Sequence, residues 1–173
     1  METSNLNRKI NKIRMVLLDV DGVLTDGSLI LGDGEYKVFY VQDGLGIRLL
    51  KKFGIKVGFI TGRRSEAVQR RAKELNIDFL YQGVQNKQDC LHQLVSESNL
   101  NLDTICYMGD DFTDLSVLKS VGFSVSVPNG RDEIKEVVDC VTENCGGKGA
   151  VRELAELILK TQGKWEKIIS QFE

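Results

Sequence analysis

Residues 19–26, D-V-D-G-V-L-T-D, set Asp19 and Asp21 two positions apart directly after a short apolar run. Carboxylates at i and i+2 leaving a strand can divide labour, Asp19 attacking phosphorus while Asp21 delivers and removes protons. Gly22 allows the sharp turn between them. The same letters also suit a calcium loop or a plain turn, so the pair alone does not decide the chemistry. A second acidic group, Asp110, Asp111 and Asp114 in G-D-D-F-T-D, follows another apolar run. These carboxylates could do no more than cap a helix. If Asp110 faces Asp19, however, the like charges require a cation between them, and oxygen-only ligands beside a phosphate point to Mg2+.

Two further positions fit the same chemistry. Thr61 in I-T-G-R ends an apolar run, where a hydroxyl and backbone N–H groups can hold phosphoryl oxygens. Lys87 in Q-G-V-Q-N-K offers a cation for the same group. Each is ordinary alone: Thr-Gly is a common strand-to-helix turn, and a lone lysine is usually a solvated surface residue. The specificity lies in the order D-x-D, T-G, K, G-D-D-x-x-D.

These residues need elements to bring them together. Residues 15–20, 56–61, 104–108 and 123–127 are short continuous apolar runs, suited to strands buried on both faces of a parallel sheet. Between them Val68, Ala72 and Leu75 share one helix face, as do Val151, Leu154, Ala155 and Ile158. The alternation predicts an α/β fold with a doubly wound, mostly parallel, Rossmann-like sheet, whose ligands bind beyond the carboxyl ends of the strands. Asp19, Thr61 and Asp110 all fall at or just past such ends. Residues 28–31 and 37–41 flank G-D-G-E-Y and predict a projecting β-hairpin over 27–41. Its Leu29, Ile30, Leu31, Val38, Phe39 and Tyr40 predict cover by another subunit.

The 173 residues suit a single domain over 1–173, with a core over about 15–160. After Gly163 the sequence allows either a mobile tail over 163–173 or anchoring of Trp165 and Phe172 on a neighbouring subunit. With 42% apolar residues, 28% charged residues and a formal charge of -2, the chain lacks the footprint of a nucleic-acid or anionic-membrane binder. No segment has a signal peptide's parts, and no apolar run approaches the roughly 20 residues that span a bilayer, so a cytoplasmic location is expected. Cys90, Cys106, Cys140 and Cys145 do not form a zinc set with the single histidine, His92, and are expected as buried free thiols. His92 follows Lys87 on a predicted helix and reads as a surface or packing residue.

Over about residues 15–160 the sequence resembles the haloacid dehalogenase superfamily of phosphohydrolases, whose four motifs stand here in order. The resemblance implies that Asp19 is the nucleophile, that Asp21 is the acid/base, and that Thr61 and Lys87 bind the phosphoryl group. It also implies that Asp19, the main-chain carbonyl of Asp21, and Asp110 hold Mg2+, with Asp111 and Asp114 in support. Only 39 residues separate Asp21 from Thr61 and 25 separate Thr61 from Lys87, too few for a lid domain, so no cap is expected.

The stretches V-F-Y-V-Q-D-G-L-G-I-R-L-L, L-Y-Q-G-V-Q-N-K and G-G-K-G-A-V-R-E-L further resemble phosphatases of eight-carbon and nine-carbon 2-keto-3-deoxy sugar acids. That resemblance implies a homotetramer active in lipopolysaccharide precursor synthesis. It implies a substrate pocket formed by Tyr40, Val41, Gln42, Asp43, Gly44, Arg48, Arg63 and Arg71, with residues 146–153 nearby. Arginine forks suit both the carboxylate and the phosphate of such a substrate, although arginines 63, 64, 70 and 71 would equally form a solvated basic face. Gln42 departs from the basic residue frequent in relatives. Arg63 after the Thr-Gly pair, together with Lys148, implies preference for 3-deoxy-D-manno-octulosonate 8-phosphate over a nine-carbon, sialic-type acid phosphate.

Two rivals belong to other classes. A signalling receiver domain also combines an acidic cluster with a phosphoaccepting Asp, a Thr and a Lys, but it has no second carboxylate two residues after the acceptor, so Asp21 argues against it. A non-catalytic interaction module would not need every catalytic position to be retained.

Overall fold

Strand β1 (Met15–Leu18) alternates its side chains between two cores, Val16 and Leu18 on one face, Met15 and Leu17 on the other, and all four are fully buried. An apolar residue at every position is what a strand covered on both faces requires. The computed structural model describes residues 2–171; Phe172 lies outside them.

Helix α1 (Glu2–Lys12) precedes β1, and β2 (Ile30–Leu31), β3 (Glu35–Tyr36) and α2 (Val41–Lys52) follow it. The chain continues through β4 (Lys56–Thr61), α3 (Glu66–Glu74), β5 (Phe79–Gln82), α4 (Lys87–Ser98), β6 (Ile105–Met108) and α5 (Leu115–Leu118). It ends with β7 (Phe123–Ser126), α6 (Asp132–Lys135), β8 (Cys140–Val141), α7 (Ala150–Thr161) and α8 (Trp165–Ile169).

Six strands form one sheet in the order β5, β4, β1, β6, β7, β8, with every pairing parallel. The strand order reverses between β1 and β6, where Leu18 lies level with Met108. In a doubly wound sheet, crossovers diverge to either side of such a point and leave a crevice at the carboxyl edge. One face of the sheet packs on α2 and α7 through Ile47, Leu50, Val151, Leu154, Ala155 and Ile158. The other packs on α4 and α5 through Leu91, Leu94, Val117 and Leu118. Burying each such side chain stabilises the fold by roughly 1.5–3 kcal/mol, which holds the rim residues on a rigid base.

Three expectations change. The hairpin forms, but its second strand is Glu35–Tyr36, because Tyr40 already serves as the N-cap of α2 and the chain from Lys37 to Tyr40 makes no ladder. The tail is ordered over its helical part: α8 buries Ile168 and sets Trp165 against the main core. All four cysteines are free, but only Cys90 and Cys106 are buried, Cys140 being half-buried and Cys145 exposed. Among the described residues only the turn over Val20–Leu24 and the two-stranded ribbon intervene between β1 and α2, so no cap domain is present there. No helix among them is long and apolar enough to cross a membrane.

Candidate active site

The chain leaves β1 through Asp19, whose N–H donates to the Met108 carbonyl at the end of β6 (3.0 Å), tying it to the strand that leads to Asp110. The next residues wind into one wide turn closed by the Thr25 N–H on the Val20 carbonyl at 3.0 Å. Gly22 has φ 98°, and a Cβ there would stand 2.1 Å from Asp110 Oδ2, so only glycine lets the turn pass against that carboxylate. Asn129 fixes the turn from the far side, donating through Nδ2 to the Gly22 carbonyl (2.9 Å) and accepting at Oδ1 from the Gly146 N–H (2.7 Å). A Cβ on Gly146 would sit 1.8 Å from the Gly22 carbonyl oxygen, which requires glycine in the G-G-K-G stretch.

Asp114 organises the second loop. It is fully buried, and its Oδ2 accepts from the N–H groups of Asp110 (3.1 Å) and Asp111 (3.2 Å). Its Oδ1 accepts from the Tyr107 hydroxyl (2.5 Å) and from Lys87 Nζ (2.7 Å). Asp111 accepts from the Phe112 N–H (2.7 Å) and forms a capping box with Asp114. Lys87, only 4% exposed, also reaches Asp19 Oδ1 at 2.9 Å. Burial works against its charge, but the Asp19 and Asp114 carboxylates outweigh it and raise the ammonium pKa. Thr61 ends β4 beside β1, 2% exposed, and its Oγ1 accepts from the Arg63 N–H (3.3 Å).

Carboxylate oxygens of Asp19, Asp110 and Asp114 lie within 4.8 Å of one another. Burial first, then the charges of Asp19, Asp114 and Asp111, push Asp110 up to about 8. Burial and the Asp114 charge push Asp19 up to about 6 against the pull of Lys87. Asp110 Oδ1 is buried without a hydrogen-bond partner. A partnerless buried oxygen in a crowd of carboxylates suits a hard divalent cation. Both Asp114 oxygens are already doubly engaged, so Asp19 and Asp110 are the side chains with capacity to ligate, and the backbone turn at Asp21 and Gly22 passes beside them.

A charged chain runs outward from this centre into the ribbon. Lys37 ion-pairs with Asp21 and lies 3.5 Å from Glu35, which accepts from Arg63 at 2.7 Å. The Arg63 guanidinium leads the causes that hold the Glu35 carboxyl down at about 2. Beyond it, Arg71 stacks over Phe39 (5.7 Å) and pairs with Glu74 (2.7 Å), to which Arg48 also reaches (3.3 Å). The Arg71 guanidinium comes so near the start of α2 that a Cβ on Gly44 would be 2.4 Å from it, while Tyr40, Val41 and Gln42 are exposed there.

One expected pocket residue points elsewhere. Asp43 is 2% exposed and its Oδ1 accepts from the Arg152 N–H (2.8 Å), while its Oδ2 is buried without a hydrogen-bond partner. It caps the start of α7 from across the interface, and burial raises its pKa. Tyr107, Asn129, Lys37, Glu35 and Glu74 join the site with no local sequence signal to single them out. His92 meets Gln88 on the exposed side of α4 at 3.0 Å, away from the acidic cluster.

Residues 76–154 match the model of a family described as haloacid dehalogenase-like hydrolase. The 3-deoxy-D-manno-octulosonate 8-phosphate phosphatase of Escherichia coli is 39% identical over 171 residues, covering 98% of this chain and 91% of that protein. The crystal structure of the Moraxella catarrhalis 3-deoxy-D-manno-octulosonate 8-phosphate phosphatase, in complex with magnesium ion, phosphate ion and KDO, superposes with a TM-score of 0.96 at 43% identity, covering 98% and 99% of the two chains. The present chain belongs to the haloacid dehalogenase-like hydrolases, in the family of the 3-deoxy-D-manno-octulosonate 8-phosphate phosphatases.

Proposed function

We propose that this protein hydrolyses 3-deoxy-D-manno-octulosonate 8-phosphate to the free sugar acid and phosphate, through a phosphoryl group carried on Asp19. The observation that carries the reading is Lys87 held between Asp19 and Asp114 beside the partnerless oxygen of Asp110, all at the switch point of the sheet.

Lys87 and the Thr61 hydroxyl bind phosphoryl oxygens and aim phosphorus at Asp19. Asp19 Oδ attacks, the bond from phosphorus to the sugar oxygen breaks, and Asp21 protonates the leaving alkoxide. Asp21 then takes a proton from the water that attacks the acyl phosphate, which restores Asp19 and releases phosphate. Asp19, Asp110 and the main-chain carbonyl of Asp21 would hold Mg2+, which supplies charge neutralisation where two anions meet. Asp114 and Asp111 keep the Asp110 loop and Lys87 in place.

Arg63, Arg71 and Arg48, with Tyr40, Val41, Gln42, Gly44 and Lys148, form the wall for the sugar acid. Asp43 serves that wall by fixing the start of α2 against α7. Leu31 at 74% exposure, Val38 at 63% and Val41 at 81% support a homotetramer whose ribbons complete neighbouring pockets. The product belongs to lipopolysaccharide precursor synthesis, which is cytoplasmic work. Phosphate release from 3-deoxy-D-manno-octulosonate 8-phosphate and from a nine-carbon acid 9-phosphate, with and without chelator, tests the assignment. Higher kcat/KM on the first, abolished reversibly by chelation, is expected; equal or better turnover of the second would defeat it. Light scattering tests the tetramer, and a fully active monomer would rule it out.

A further inference from the structure

Lys37 has its side chain wholly shielded from solvent, yet it lies in an otherwise exposed ribbon. A buried ammonium needs partners, and it has two carboxylates, Asp21 and Glu35. Glu35 is in turn held by Arg63. Asp21, Lys37, Glu35 and Arg63 thus alternate in charge from the residue beside the nucleophile out to the pocket wall. The contact on Asp21 is through Oδ1, and the side chain is otherwise partly open, at 23% exposure.

We propose that Lys37 is a positioning residue for Asp21. By holding Oδ1 it fixes the carboxyl rotamer and leaves Oδ2 to carry the proton, first to the leaving alkoxide and then from the attacking water. Glu35 keeps the Lys37 ammonium in place and couples it to Arg63. The two-stranded ribbon therefore serves the chemistry of its own chain as well as presenting an apolar face. This inference rests on the phosphatase reading above, with Asp21 as acid/base.

Leaving groups provide the test, because an aryl phosphate such as p-nitrophenyl phosphate expels a stable phenolate that needs little proton assistance, whereas a sugar alkoxide needs it fully. The quantity read is the ratio of kcat/KM on 3-deoxy-D-manno-octulosonate 8-phosphate to that on p-nitrophenyl phosphate, with Mg2+ present. It is independent of the fraction of protein folded. In Lys37→Met the ratio is expected to fall about tenfold or more, a fraction of the roughly 10²–10⁴ that a positioned acid supplies, with KM for the sugar phosphate within about twofold of wild type. Glu35→Gln is expected to lower the ratio by a smaller factor, and it carries the test alone if Lys37→Met yields no folded protein. An unchanged ratio, or a loss confined to KM, would overturn the positioning role. Failure of the wild-type protein to hydrolyse the sugar phosphate while it hydrolyses p-nitrophenyl phosphate would instead strike at the substrate assignment.

Discussion

The carboxyl rim of the sheet and the ribbon leading into α2 are opposite kinds of surface. At the rim Asp19, Thr61, Lys87 and Asp114 are nearly sealed from solvent, and each is held by bonds to strand-end backbone or to one another. In the ribbon Leu29, Ile30, Leu31, Tyr36 and Val38 stand exposed, while Lys37 and Glu35 turn inward and Phe39 just beyond packs against the main core. The rim can be rigid because β1, β4 and β6 anchor it on two cores; the ribbon has no core of its own. On the proposed reading, chemistry resides on the rim and recognition on the ribbon and wall.

If that division holds, rim substitutions strike turnover on any phosphate ester, and wall substitutions strike discrimination. Asp19→Asn is expected to reduce phosphate release by more than about 10⁴-fold on both sugar and aryl phosphates, the scale for removing a covalent nucleophile. Substantial activity in that variant would place the nucleophile elsewhere. Asp21→Asn is expected to lose at least about 100-fold in kcat on the sugar phosphate while magnesium affinity, followed by calorimetry, is kept. Lost magnesium binding with intact chemistry would reverse that role. Arg63→Glu is expected to lower kcat/KM for 3-deoxy-D-manno-octulosonate 8-phosphate by about 1–3 kcal/mol and to leave aryl phosphate hydrolysis nearly unchanged, since one charged hydrogen bond is removed. An equal loss on both substrates would move Arg63 from wall to rim.

The smallest expected effect is on stability. Asp19 and Asp110 have pKa values raised to about 6 and about 8 by burial and by neighbouring carboxylates, Asp114 beside the first and Asp19, Asp114 and Asp111 beside the second. Between the unfolded carboxyl value of about 3.9 and those folded values, the metal-free native chain binds more protons than the unfolded one, so these groups destabilise it as pH rises. Melts of chelated protein should show Tm falling from about pH 4 to about pH 8, and the rise in Tm on adding Mg2+ should grow over the same range. A magnesium effect independent of pH would mean that the carboxylates do not crowd as described.

The same contrast explains what is legible in the sequence. Continuous apolar runs identify β1, β4, β6 and β7 to within about two residues, because burial on both faces leaves no polar position, and so the strand-end residues Asp19, Thr61 and Asp110 can be placed on one rim. Short β8 and half-buried β5 lack that signature. The apolar run over 37–41 reads as a strand, but the segment is an unpaired lead into α2, and runs this short do not distinguish the two. Asp43 sits in the quoted D-G-L-G pattern but spends its carboxylate 109 positions away on α7, and Asn129 reaches Gly22 across 107. Such contacts leave no trace in local spacing.

The proposed covalent role of Asp19 is tested most directly by the stereochemistry at phosphorus, using a thiophosphate ester of the sugar acid made chiral with two oxygen isotopes and hydrolysed in water that carries the third. Two successive in-line displacements, by Asp19 and then by water, each invert the centre, so net retention is expected in the released thiophosphate. Inversion would mean that water attacks the ester directly, and that the carboxylate held by Lys87 orients or activates it without ever carrying the phosphoryl group.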